Sequence, residues 1–178
     1  MPMPPADELS AEQQAAARRI TAGPRGAVFG PFVPLLRSPQ AMEHLQRLGA
    51  YLRFASPLPK KIFEMLVLLV ARKWDQDFEW TYHLPLARAA GLSDESIAAL
   101  SRRSTPPDLA PSEQSAYDIV VELLAHKAVS DATFDAGIEL LGPQSVVDVV
   151  VTAGYYSTLA MVMNTAQTPP PAPTSLPG

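Results

Sequence analysis

With 178 residues, 47% of them apolar, the chain is long enough to bury a core and too apolar to be disordered throughout. Its net charge of −4 and scattered basic residues argue against nucleic acid as the main partner, since phosphate binding needs a clustered positive face. The absence of cysteine excludes disulfides, zinc–thiolate and iron–sulfur sites, and every thiol mechanism.

Residues 1–7 are Pro-rich and read as a flexible N-terminus, without the basic and apolar regions of a signal peptide. Residues 8–21 form strong helix sequence whose inward side chains are Leu9 or Ala16 and Ile20, ended by Gly23-Pro24-Arg25-Gly26. The apolar stretch 28–36 is broken by Pro31 and Pro34, so it reads as a buried loop or short helical turn. Ser38 and Pro39 suit an N-cap and first helical position, and Ala41, Leu45, Leu48 and Leu52 mark one apolar face.

The next helix, residues 60–73, is almost continuously apolar from Ile62 to Ala71, yet holds Glu64. This is the longest apolar run; it is too short to span a bilayer, so a soluble, cytoplasmic protein with no membrane partner is expected. A break near Trp74-Asp75 precedes a helix patterned on Phe78, Tyr82 and Leu86 and closed by Gly91. Further helices are expected at 93–102, with Ile97 and Leu100 inward, at 112–127 and at 130–141. Residues 144–165 begin β-branched, but their length and later Ala/Met content favour a long buried helix. The fold class is therefore all-α: one domain over residues 8–166, followed by a Pro-rich disordered tail at 167–178.

A carboxylate inside a greasy helix is costly unless it is paired, protonated or put to use. Glu64 is followed by Gln76, Glu79 and His83, the last two spaced i,i+4 on one helix face with Gln76 three residues before. If the two helices fold against each other, these groups converge. The plainer alternatives are a structural carboxylate at Glu64 and a packed, hydrogen-bonded histidine at His83. His44 and His126 have no such partner pattern.

This spacing, with FEMLVLLVAR before the turn, then FEWTYH, AGLSDESIAAL and the later GYYSTLAMVMN, resembles the carboxymuconolactone decarboxylase / alkylhydroperoxidase D superfamily. The resemblance runs from about residue 41 to 164. Redox members of that superfamily place Glu, Cys-x-x-Cys and His at this spacing; here Gln76 and Glu79 stand where the cysteines would be. The chain thus resembles the cysteine-free, decarboxylase-like branch. The fold it implies is an alkylhydroperoxidase D-like helical bundle around a two-helix active-site hairpin.

The implied activity is cofactor-free decarboxylation of a small carboxylated lactone or related ring acid, as in the conversion of 4-carboxymuconolactone to an enol-lactone. His83 would donate the proton or face the oxyanion, Glu79 would hold its tautomer or act as the acid, and Glu64 would orient the pair. Gln76, Trp80, Arg53 and Arg72 are the candidate substrate contacts. Neither a cofactor nor a metal enters this scheme. Self-association is implied as well, as a homotrimer or a multiple of three. Two alternatives stay open: a non-catalytic, oligomeric small-ligand-binding protein of the same fold, and a metal enzyme using the Glu/Glu/His set.

Overall fold

The computed structural model describes residues 1–172 and residue 176, and among these there is no strand. A short 3₁₀ turn, Ala6–Glu8, precedes α1 (Ala11–Ala22), α2 (Phe32–Leu35), α3 (Pro39–Phe54), α4 (Lys60–Lys73) and α5 (Asp77–Ala89). The series continues with α6 (Asp94–Ser101), α7 (Pro111–His126), α8 (Asp131–Leu141) and α9 (Pro143–Ala166). The tail expected from residue 167 lies partly outside the described residues; those from 168 to 172 carry no helix.

α4 is the axis of the molecule. Ile62, Phe63, Met65, Leu66, Val67, Leu68, Val70 and Ala71 all lie at 1% exposure or less, so every side of this helix needs a neighbour. α5 and α9 supply most of that cover, with α7 and α6 on the remaining sides. Ile20, Ala16 and Phe32 close the core from the N-terminal end, as the inward residues of α1 and α2. The chain reverses between α4 and α5 at Asp75, which adopts φ +48, a left-handed conformation that Asp tolerates better than most residues. Arg72 and Arg103 both bind the Asp75 carboxylate and fix this turn.

Four details differ from the sequence reading. On α3 the enclosed residues are Met42, Gly49 and Leu52, while Ala41 and Leu48 face solvent. The face is set by Gly49: a Cβ there would lie 2.1 Å from the Tyr155 hydroxyl, so α3 turns its bare backbone toward α9. Ser38 flanks α3 without a side-chain cap, the helix relying on Pro39 at its first turn. On α5 the enclosed residues are Phe78, as expected, with Glu79, Trp80, His83 and Ala87, while Tyr82 and Leu86 are only half-buried. The polar pair is thus turned inward onto α4, and the aromatics flank it.

The fourth concerns α9. Among the described residues it is the helix long and apolar enough to cross a membrane by length and composition, at a mean hydropathy of 1.5. In this fold half of that stretch is buried, and its Asp148 accepts hydrogen bonds from the Tyr51 hydroxyl at 2.9 Å and the Ser56 hydroxyl at 2.6 Å. Those bonds satisfy a buried carboxylate and tie α9 to the α3–α4 connector.

Candidate active site

α4 and α5 pack antiparallel across the Asp75 turn, which brings Glu64 from the middle of one helix against His83 from the middle of the other. Glu64 Oε2 lies 2.6 Å from His83 Nδ1, and Glu79 Oε2 lies 3.3 Å from His83 Nε2. All three side chains are buried, at 6%, 3% and 2% exposure for Glu64, Glu79 and His83. Burial opposes charge on the imidazole, but the hydrogen bonds to Glu64 and then Glu79 outweigh it, so the His83 pKa is raised above 6.5. The raised pKa favours the charged ring, which sits between two carboxyl groups with Nδ1 facing Glu64 and Nε2 facing Glu79.

The two contacts are unequal. The Nδ1 bond is short and charge-assisted, whereas 3.3 Å is longer than usual for N–H···O. Glu64 therefore anchors the ring, and the Nε2 end is the one able to turn its proton elsewhere. Tyr82 and Tyr156 hold the imidazole edge-on, with ring centroids 5.2 and 5.3 Å away.

His83 and Glu79 open into a pocket lined by Phe29, Phe32, Phe78, Tyr82, Tyr155 and Tyr156, with Arg25 and Arg53 among its walls. Its free space is about 20 Å³, room for a water molecule, so a larger ligand requires the aromatic walls to part. Arg53 places its guanidinium carbon 5.7 Å from the Tyr82 ring centre. Burial works against the Arg53 charge, but Tyr156, Tyr82 and Glu64 more than compensate and raise its pKa. Burial pushes the Tyr155 hydroxyl up to about 12 and Tyr156 well above the usual phenol range, so both stay protonated at neutral pH.

Of the candidates named from sequence, Glu79, His83 and Arg53 line this pocket, and Glu64 is joined to it through His83. The other three lie elsewhere. The Gln76 side chain caps α5, accepting from the Phe78 N–H at 2.6 Å, and donates to Asn164 Oδ1 at 2.7 Å. Trp80 is enclosed in the core at 1% exposure, away from the pocket lining. Arg72 donates to the Ser101 carbonyl at 2.7 Å and pairs with Asp75, beside a separate apolar pocket between α4, α6 and α7.

Sequence reasoning assigned no role to Arg25, Tyr155 or Tyr156. Their signal was present, as a lone arginine leading into an apolar segment and a Tyr-Tyr pair inside an apolar helix. Neither stands near His83 in the chain. As for a metal, among the described residues no three His, Asp or Glu side chains are arranged to hold one. Both imidazole nitrogens are already turned to carboxylate oxygens.

The fold and this buried Glu–His–Glu site define a class of helical proteins, and the comparisons bear on which. The carboxymuconolactone decarboxylase family model matches residues 39–122, the segment that holds Arg53, Glu64, Glu79 and His83. A crystal structure of an alkylhydroperoxidase AhpD core, an uncharacterized peroxidase-related protein from Ralstonia eutropha JMP134, is similar at a TM-score of 0.76 and 16% identity. The similarity covers 96% of this chain and 90% of that one. A protein of unknown function from Agrobacterium tumefaciens, a putative antioxidant defence protein AhpD, is similar at a TM-score of 0.68 and 20% identity. There 78% of this chain and 96% of the other are covered. No curated protein matches the sequence.

Over residues 39–122 the chain is similar to the carboxymuconolactone decarboxylase family, and its fold is alkylhydroperoxidase D-like.

Proposed function

We propose that the protein is an acid–base enzyme of the decarboxylase type, acting on a small carboxylated lactone or related ring acid. The observation that carries this reading is the His83 imidazole held between Glu64 and Glu79 at the wall of an aromatic pocket that also contains Arg53. With no cysteine in the chain, a thiol peroxidase cycle has no nucleophile here, and the groups present move protons.

Arg53 holds the substrate as an anion in the pocket. The bond from ring carbon to carboxylate breaks, carbon dioxide leaves, and the electron pair passes into the conjugated carbonyl as an enolate. The cationic pocket stabilises that oxygen. His83 Nε2–H then protonates carbon, leaving a neutral imidazole that regains its proton from water after product release. Glu64 keeps the ring in place throughout, in the manner of a buried carboxylate orienting a catalytic histidine. Glu79 faces the same pocket and receives the Nε2–H when substrate is absent. No cofactor is used, and a cytoplasmic setting belongs to the same reading.

Self-assembly, as a trimer or a multiple of three, is part of this proposal. It is supported by the outward face of α9, where Val147, Val150, Gly154 and Met161 are exposed and carry no charge. Light scattering on the purified protein checks it, and a monomer would contradict it.

The experiment for the catalytic reading is turnover of 4-carboxymuconolactone, followed as carbon dioxide release, by wild type, His83→Ala and Glu79→Gln. Turnover by wild type, lost in both folded variants, supports it over a binding protein. Variants as active as wild type, or an inactive wild type, overturn it.

A further inference from the structure

Arg25 lies outside the segment matched by the family model, on the connector between α1 and α2, yet its guanidinium reaches the wall of the His83 pocket. Its carbon sits 4.7 Å over the Phe32 ring, and Nη2 reaches the Tyr155 hydroxyl only at 3.5 Å, the limit of a hydrogen bond. Its Nε is buried and has no hydrogen-bond partner. Among the described residues neither Arg25 nor Arg53 has a carboxylate within ion-pair distance, unlike Arg19, Arg47, Arg72, Arg88 and Arg103. Two guanidinium groups without carboxylate partners thus line one small pocket. A buried unpaired donor on a cation carries a desolvation penalty that a bound anion would relieve.

We infer that Arg25 is a substrate-binding residue, which with Arg53 forms a two-arginine clamp for the carboxylate of a compact, planar ring acid. The planarity follows from the walls: Phe29, Phe78 and Tyr82 pack ring against ring, Phe78 and Tyr82 stacked at 12° with centroids 6.1 Å apart. A flat ring needs such faces to part only by its own thickness, whereas a bulky saturated one must push them further aside. Arg25 shares its connector with Phe29 and Pro31, and Phe32 opens α2 directly after it, so one segment supplies both a cation and much of the apolar wall. This inference rests on the reading of the His83 pocket as a substrate site, but needs no turnover.

The test uses benzoate as a flat monoanion and benzamide as its uncharged counterpart, titrated calorimetrically into wild type, Arg25→Gln, Arg25→Lys and Arg53→Gln. Benzoate is expected to bind wild type and to shift the His83 imidazole resonances. It should weaken by about tenfold or more in Arg25→Gln and in Arg53→Gln, with partial recovery in Arg25→Lys. Benzamide affinity should be the same in wild type and variants. Equal benzoate affinity in wild type and Arg25→Gln overturns the inference, as do equal losses for benzoate and benzamide, or no benzoate binding to wild type. If Arg25→Gln does not fold, Arg25→Lys decides between the same outcomes. A protein that binds benzoate through Arg25 yet decarboxylates nothing keeps this inference and loses the catalytic one.

Discussion

Glu64 and His83, nineteen residues apart in the sequence, meet across the α4–α5 interface with Oε2 and Nδ1 2.6 Å apart. The contact explains how a carboxyl group persists in the most buried helix of the protein: it is hydrogen-bonded to a histidine whose pKa these bonds raise against the opposing effect of burial. It also leaves Nε2 as the end facing the pocket.

Glu64→Gln removes the negative partner while keeping the shape. The imidazole pKa should fall and the ring lose its fixed orientation. We expect kcat to drop by about 100-fold with KM little changed, within the range that positioned general acids contribute. Steady-state kinetics and a histidine NMR titration on the same variant check the two effects together.

Stability should depend on pH in a set direction. The folded His83 pKa is raised, so below the unfolded value of 6.5 both states are protonated and the stabilisation is complete. As pH rises above 6.5 the unfolded chain deprotonates first, and the contribution is lost by the time pH passes the folded pKa, at up to about 1.4 kcal/mol per pH unit. Urea midpoints of wild type should fall across that window. The same midpoints in His83→Gln should lack this slope.

Gln76 holds the first turn of α5 and lies outside the His83 pocket. Gln76→Ala removes the cap on α5 and the bond to Asn164, and should destabilise by about 1–2 kcal/mol. KM should be unchanged. A raised KM at unchanged stability would place Gln76 in the substrate site after all.

Gly49 sets the seat of Tyr155 and Arg25. In Gly49→Ala the new methyl would meet the Tyr155 hydroxyl at 2.1 Å and Arg25 Nη2 at 2.5 Å. Overpacking of this kind should destabilise by about 1–3 kcal/mol, and displacing Arg25 should raise KM. Thermal melts and kinetics measure the pair of effects.

Much of this was legible in the sequence, for identifiable reasons. The helices announced themselves through caps and breakers such as Ser93, Ser130, Gly91 and Gly142, which act within a few residues. Glu64, Glu79 and His83 were found because a charge in an apolar run and an i,i+4 pair are local patterns. The inward face of α3 was misjudged because it depends on how closely Gly49 lets Tyr155 approach, a fact of the α9 register 106 residues away. Arg72 looked as available as Arg53 on chain position alone. Only the Asp75 turn shows that it is spent on holding α4 to α5. Arg25 and the tyrosines of α9 reach the pocket by tertiary packing, for which the chain offers no spacing rule.

The most direct test of the central claim, that His83 delivers a proton to carbon, is decarboxylation of a carboxylated lactone in deuterated water with product analysis by mass spectrometry. Wild type should release carbon dioxide and place one solvent-derived deuterium on carbon in the product at each turnover, and His83→Gln should do neither at a measurable rate. Deuterated product formed by His83→Gln at the wild-type rate would contradict the account.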